Sequence, residues 1–243
     1  MESLKDPQVS PVTAALSSQS ARLVQEGCQQ EICRRGPFQA RVYLTRIAGR
    51  IVVVKDYQNQ LFLFRHLVGR HLVRREERVY RRLKGCPGVP RLLGRMGKYG
   101  LILEYIPGKH LSRLDPQQLS PKLFESLRSS LEAMHRRGVV HRDIRRKNIL
   151  ITPNGSPFFI DFNIALARGP WYRLINRWLF RIFRQIDHKT LLKIKDSFYP
   201  GLLTPGERAL LHRRFLLLSL GRFLRRRIHR KIKRRLRRWS GKR

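Results

Sequence analysis

Residues 139–163 read VVHRDIRRKNILITPNGSPFFIDFN, and the fold turns on them. His141, Arg142 and Asp143 share one polar segment, and Asn148 follows after an interval of four residues. The apolar runs ILIT (149–152) and PFFI (157–160) flank the turn signal Asn154-Gly155. That spacing predicts a loop followed by a β-hairpin. A hairpin doubles the chain back, so Asp161, just beyond it, returns toward Asn148. An aspartate and an asparagine from one loop and a second aspartate are thereby expected to meet across a divalent cation.

Working outward toward the N-terminus, RVYLTRI and RIVVVKDY flank Ala48-Gly49 and predict a second hairpin, with Lys55 ending its second strand. Leu61 to Leu83 is helical in character, and GCPGVP stops it. RLLG and YGLILEYIPG predict two more strands and an exit turn at Pro107-Gly108. The helix expected in SPKLFESLRSSLEAMHRRG sets Leu123, Leu127, Leu131 and Met134 on one face and closes at Gly138. Toward the C-terminus, residues 171–186 and 206–239 read as strongly basic helices. In the first, Trp171, Leu174, Ile175, Trp178, Leu179, Ile182, Phe183 and Ile186 form a face opposite Arg173, Arg177, Arg181 and Arg184. Core packing is the first expectation for that face, with a lipid interface as the alternative for its tryptophans.

The 243 residues are 42% hydrophobic, enough for an ordinary packed core. Against 16 Asp+Glu stand 53 Lys+Arg, a formal charge of +37, which predicts attraction to polyanions: nucleic acid, anionic lipid or phosphorylated glycan. Cys28, Cys33 and Cys86 are odd in number and contain no CxxC pair, fitting neither a disulfide framework nor a zinc site, so a reducing cytoplasm is the simpler reading. The N-terminus has no basic n-region leading into an apolar run, so no signal peptide is expected. No apolar run is long enough to span a bilayer. Residues 1–25 read as a disordered tail. From Arg222 onward there is no acid, and Leu220, Leu224, Ile228, Ile232 and Leu236 recur every fourth position. This cationic amphipathic helix, 221–243, is read as a membrane or substrate surface first, a solvated tail second and a nucleic-acid binder third.

Phosphoryl transfer needs a cation on the phosphates, carboxylate or amide ligands for Mg²⁺ and a base near the attacking hydroxyl. Asp143, Asn148 and Asp161 supply the last two. Lys55 supplies the first, and either Glu76 or Glu77 on the following helix is placed to hold it by an ion pair.

VVVKDY, REERVYRRL, LILEYIPG, HRDIRRKNIL and IDFN stand in the order and rough spacing of the protein-kinase superfamily, which the chain resembles over about residues 31–165. The resemblance implies an α+β, two-lobed fold over 26–220, with a strand-rich N-lobe (about 31–106) and a shortened helical C-lobe (about 107–220). It implies ATP and Mg²⁺ as cofactors. Lys55 then corresponds to the phosphate-binding lysine, Glu76 to its partner, Asp143 to the base, and Asn148 and Asp161 to the metal ligands. Leu103 would be the gatekeeper, with the Glu104 carbonyl and the Ile106 N–H facing adenine. Arg145 replaces the family's usual lysine, where its cation would still meet a transferring phosphate. His141 is expected to pack behind the loop.

Three departures shape the expectation. The stretch that should form a glycine-rich lid is RRGPFQARVYL, with Gly36 its one glycine. DFN replaces DFG, so Asn163 is expected to take the positive φ that glycine usually supplies. About 80 residues follow Asp161, with no APE element. A shortened C-lobe resembles the small bacterial lipopolysaccharide kinases acting on Kdo or heptose, and the RIO-like kinases. The expected activity is therefore phosphorylation of an inner-core sugar by a cytoplasmic protein, peripheral on the inner membrane and attracted to anionic glycolipid. An atypical serine/threonine kinase with a protein substrate is the alternative, argued from Arg142 as a sensor of loop phosphorylation. A third reading is a pseudokinase serving as a cationic membrane or RNA scaffold.

Overall fold

The computed structural model describes residues 30–33, 40–58, 69–116 and 119–212. The tail at 1–25, the stretch around Gly36, the opening of the Leu61–Leu83 helix and the basic run after Leu220 lie outside the described residues. The chain divides into a compact unit ending at Gly201 and a second beginning at Leu202.

The first unit opens with five antiparallel strands, β1 (Gln30–Cys33), β2 (Arg41–Ile47), β3 (Arg50–Asp56), β4 (Leu92–Met96) and β5 (Gly100–Glu104), in the order β1-β2-β3-β5-β4. Ala48 and Gly49 join β2 to β3 at φ +49° and +75°, the paired positive values a two-residue hairpin turn demands. Alternation sends Tyr43, Ile47, Val52 and Val54 into one apolar cluster with Ile102. By the same parity Val53 and Lys55 face the other way. There lies α1 (Arg70–Arg82), whose Val73 clusters with Tyr57 and Leu101, the residue paired with Lys55. Helix α1 buries Val73, Glu76, Glu77, Val79 and Tyr80, so its helical period turns two acids inward along with the apolar residues.

The Gly/Pro break after α1 is a packed joint. Gly88 sits at φ +72°, its carbonyl accepts the Phe159 N–H at 2.8 Å, and a Cβ there would lie 2.6 Å from Ser130 Oγ. Beyond it come β6 (Lys109–His110), α2 (Lys122–Arg136), β7 (Val139–Val140), β8 (Ile149–Ile151), β9 (Pro157–Phe159), β10 (Leu166–Ala167) and α3 (Leu174–Phe198). Strands β6, β8 and β9 form one small sheet, and β7 pairs with β10. Leu123, Leu127, Leu131 and Met134 of α2 are buried in the largest apolar cluster with Ile149, Phe159 and Phe162. The β8–β9 turn runs from Thr152 to Ser156, wider than the Asn154-Gly155 pair: Thr152 N–H donates to Ser156 O at 3.0 Å, and Gly155 N–H to Thr152 O at 2.9 Å.

The core expectation for residues 171–186 is corrected. Helix α3 runs on to Phe198 and buries Phe180, Asp187, Leu191, Ile194 and Phe198, while Trp171, Leu174, Ile175 and Trp178 face solvent. The apolar stripe is real, but the core takes the other side of the helix. In the second unit, α4 (Pro205–His212) is capped reciprocally: Glu207 N–H donates to Thr204 Oγ1 at 3.2 Å, and Thr204 N–H to Glu207 Oε2 at 2.9 Å.

Candidate active site

Lys55 is buried at the end of β3. Its ammonium donates to Glu76 Oε1 at 2.6 Å, to Asp161 Oδ1 at 3.2 Å and to Asn163 Oδ1 at 3.2 Å. Three N–H groups thus meet three acceptors, so an incoming phosphate oxygen must take the place of Asp161 or Asn163. Burial by itself would lower the Lys55 pKa, but the Glu76 and Asp161 carboxylates outweigh it and hold the ammonium well above its ordinary value. Burial raises the Glu76 pKa, and the adjacent Lys55 draws it back only in part. Glu77 points elsewhere, to Arg81 at 2.7 Å and Arg95 at 3.4 Å.

Asp161 carries the unusual backbone at φ +69°. Asn163 is not among the residues with positive φ, which corrects the expectation for it. Its side chain is used instead: Oδ1 accepts from Lys55 and, at 3.2 Å, from the Tyr57 hydroxyl. An amide at that position adds a ligand to the lysine that glycine could not.

The hairpin brings the loop at 141–148 to this cluster. Asn148 O accepts the Ile160 N–H at 2.9 Å, one residue before Asp161, where the β8–β9 register of Ile149 with Phe159 leads. Asn148 Nδ2 donates to Asp143 O at 2.8 Å and to Asp143 Oδ2 at 3.0 Å. Arg145 grips Asp143 Oδ1 through both Nε and Nη2. The Asp143 carboxylate is therefore fixed from two sides. His141 lies fully buried behind it, with Nε2 at 3.1 Å from Ile160 O and its ring against Phe159 and Phe162. Burial lowers its pKa and favours the neutral imidazole.

One residue that anchors this loop escaped the sequence reading. Asp187, buried in α3, accepts the His141 N–H at 2.7 Å and the Arg142 N–H at 2.9 Å, and lies 3.2 Å from His135 Nε2. It holds Arg142 at φ +67°. The signal was present in the sequence: Asp187 is the first acid after Asp161, closing a run rich in arginine and apolar residues. Arg142 is itself committed, its guanidinium donating to Ile164 O at 3.1 Å and lying 4.1 Å over the Phe183 ring. Arg75 of α1 donates to the Ile164 and Ala165 carbonyls at 3.1 and 2.9 Å, so two arginines clamp the segment after DFN. The Ile164 carbonyl and the Phe183 ring thus engage the Arg142 guanidinium.

Leu103 is buried on β5 opposite Val53. Glu104 receives the Arg91 N–H at 2.9 Å and gives its own N–H to Arg91 O at 2.9 Å. Ile106 is buried, and its N–H donates to no backbone group among the described residues. A cavity of about 810 Å³ lies beyond this segment between Tyr105, Lys109, Ser126 and Thr152. None of the site residues lines it, so the chemistry is placed by side-chain geometry and not by pocket size.

The donors at Asn148 and Asp161 suit Mg²⁺, which binds proteins through few oxygen ligands and completes its shell with phosphates and water. With Asn148 Nδ2 turned to Asp143, it is the amide oxygen that would face such a cation. Among the described residues no group of three or more His, Cys, Asp or Glu is placed to hold a metal ion.

The protein kinase domain family matches residues 39–169. Similar proteins include a probable cAMP-dependent protein kinase catalytic subunit of Encephalitozoon cuniculi, 35% identical over 36% of this chain and 30% of its own length. CBL-interacting serine/threonine-protein kinase 19 of Arabidopsis thaliana is 31% identical over 52% of this chain and 28% of its own. Serine/threonine-protein kinase greatwall of Gallus gallus is 29% identical over 71% of this chain and 19% of its own. The chain thus spans less than a third of the length of these relatives.

Proposed function

Because the chain belongs to the protein kinase domain family, we propose that it transfers the γ-phosphate of ATP to a serine or threonine hydroxyl of a protein. The observation that carries the reading is Lys55, buried and held between Glu76 at 2.6 Å and Asp161 at 3.2 Å. Burying Lys55 and Glu76 costs several kcal/mol of desolvation per ion, and reception of a phosphate beside them gives that cost a use.

Each residue then has a task. Lys55 takes the non-transferred phosphates, exchanging Asp161 or Asn163 for a phosphate oxygen. Asn148 and Asp161 hold Mg²⁺, which when bound neutralises and orients the phosphates. Asp143, aimed by Arg145 and Asn148, accepts the proton of the attacking hydroxyl. Arg145, more than half exposed, also offers its guanidinium to the moving phosphate. Leu103 bounds the adenine pocket, and the Glu104 carbonyl and Ile106 N–H meet the base. The names of the relatives support a serine or threonine acceptor.

A sugar hydroxyl of an anionic glycolipid at the cytoplasmic membrane face is the second reading. It is favoured by the brevity of residues 168–173, the whole connection between β10 and α3, which leaves little platform for a peptide. Purified protein given γ-labelled ATP, Mg²⁺, a soluble cell extract and lipopolysaccharide decides between them. Acid-stable label on serine or threonine, absent with Asp143→Asn, is the expected result. Label confined to the glycolipid overturns the acceptor, and no label in any fraction overturns phosphotransfer.

A further inference from the structure

Among the described residues, five of the eight exposed large apolar side chains fall within residues 171–178: Trp171 (77% exposed), Tyr172 (63%), Leu174 (72%), Ile175 (76%) and Trp178 (47%). Scattered exposed apolar residues need no explanation, but a contiguous patch marks an interaction surface. The core does not require this face. Phe180, Asp187, Leu191, Ile194 and Phe198 already bury the inner side of α3. At about 100° per residue, Leu174, Ile175 and Trp178 stand roughly 120° to 160° round the helix from Phe180.

Nor is the patch a frayed end. Asn176 Oδ1 accepts the Gly169 N–H, and Asn176 Nδ2 donates to Ala167 O at 3.2 Å, tying the turn before α3 to the helix. The Arg173 N–H donates to Pro170 O at 3.1 Å. Trp171 and Tyr172 rest edge to face at 6.1 Å. The aromatic side chains are thus presented by an ordered turn, which reduces the entropy lost on docking.

We propose that this turn and the outward face of α3 dock onto an anionic lipid bilayer. Tryptophan and tyrosine favour the membrane–water boundary, where an apolar body and a polar edge are both accommodated. At the same 100° per residue Arg177, Arg181 and Arg184 flank Leu174 on one side, between it and Phe180, and no acid occurs from Phe162 to Ile186. Arginines beside anionic headgroups each add about 1 kcal/mol of attraction. The same arginines oppose a second copy, since a two-fold contact through this face would set them against one another. Among the described residues no helix is long and apolar enough to cross a membrane, so the helix lies on the bilayer and does not span it. The inference is independent of the phosphotransfer reading, and either stands if the other fails.

The test uses the full chain with Trp239→Phe, which leaves Trp171 and Trp178 as its only tryptophans. Phosphatidylcholine vesicles with and without phosphatidylglycerol, each also prepared with brominated acyl chains, are the probes. A blue shift and bromine quenching on the phosphatidylglycerol vesicles alone are expected. Leu174→Glu with Ile175→Glu should remove the quenching and lower partitioning by roughly tenfold or more, with an unchanged melting temperature because both side chains are exposed. Vesicle binding without quenching would assign adhesion to another part of the chain and overturn the proposal. So would a fall in oligomeric state in the double variant, by light scattering, without any partitioning of the parent protein.

Discussion

Around Lys55 the groups hold one another by charge: an ammonium, two carboxylates and an amide, brought from β3, α1 and the segment after β9. Around Asp143 the loop is held by its backbone, hung from the single carboxylate of Asp187 on α3. The difference teaches where each half is vulnerable. The first loses function when a charge is removed, while the second loses its shape when one distant acceptor is removed.

The largest expected effect isolates the reacting group from both scaffolds. Asp143→Ala should lower phosphotransfer by about 10²- to 10⁴-fold with little change in thermal unfolding, since Arg145 is exposed and the buried Asn148 amide keeps the main-chain oxygen of residue 143 as an acceptor. A large fall in melting temperature would show that the residue is structural.

Asp187→Ala comes next and tests the backbone-held half. Two buried N–H groups lose their acceptor, at about 1–3 kcal/mol each, so both stability and activity should fall. Scanning calorimetry beside turnover checks this; activity lost at full stability would contradict the anchoring role.

Glu76→Gln tests the charge-held half, where Lys55 keeps Asp161 but loses its nearest anion. A rise in the KM for ATP of roughly tenfold, equivalent to about 1.4 kcal/mol, is expected. Glu77→Gln is the control, because its partners are Arg81 and Arg95 and not Lys55, so the KM for ATP should stay unchanged. Equal effects from both would erase the distinction between them.

The smallest effect concerns pH. Burial lowers the His141 pKa in the folded state from its model-compound value of 6.5, so unfolded chains bind the proton first. The stability this residue contributes is complete above about pH 6.5 and is lost as pH falls through the depressed folded value. Burial shifts His188 in the same direction and adds to the loss. Melting temperatures from pH 7.5 downward should decline less steeply in His141→Asn; an unchanged slope would remove the residue from the acid response.

Much of the arrangement was legible in the sequence because it is local. The β2–β3 hairpin follows from two β-branched runs about Ala48-Gly49, and the return of Asp161 toward Asn148 follows from a hairpin of known polarity. Glu76 and Glu77 could not be separated by pattern alone, since neighbouring helical positions both lie within the buried arc and the choice depends on where β3 ends. Asn163 was read for its backbone, whereas packing placed the strain on Asp161 and freed the Asn163 amide for Lys55. Asp187 was not recognised because its partners are backbone N–H groups, which leave no mark in side-chain spacing.

By itself the sequence determined the element types, the order of the charged residues and the apolar stripe on α3, since these depend on periodicity and on residue chemistry over short distances. Only the tertiary structure decided which side of α3 is core, which glutamate meets Lys55 and what holds the loop at Asp143. Those outcomes depend on which surfaces other elements have already covered. A helix carrying apolar residues on two faces offers both equally to the core, and α2 and β7 settle the matter by occupying one.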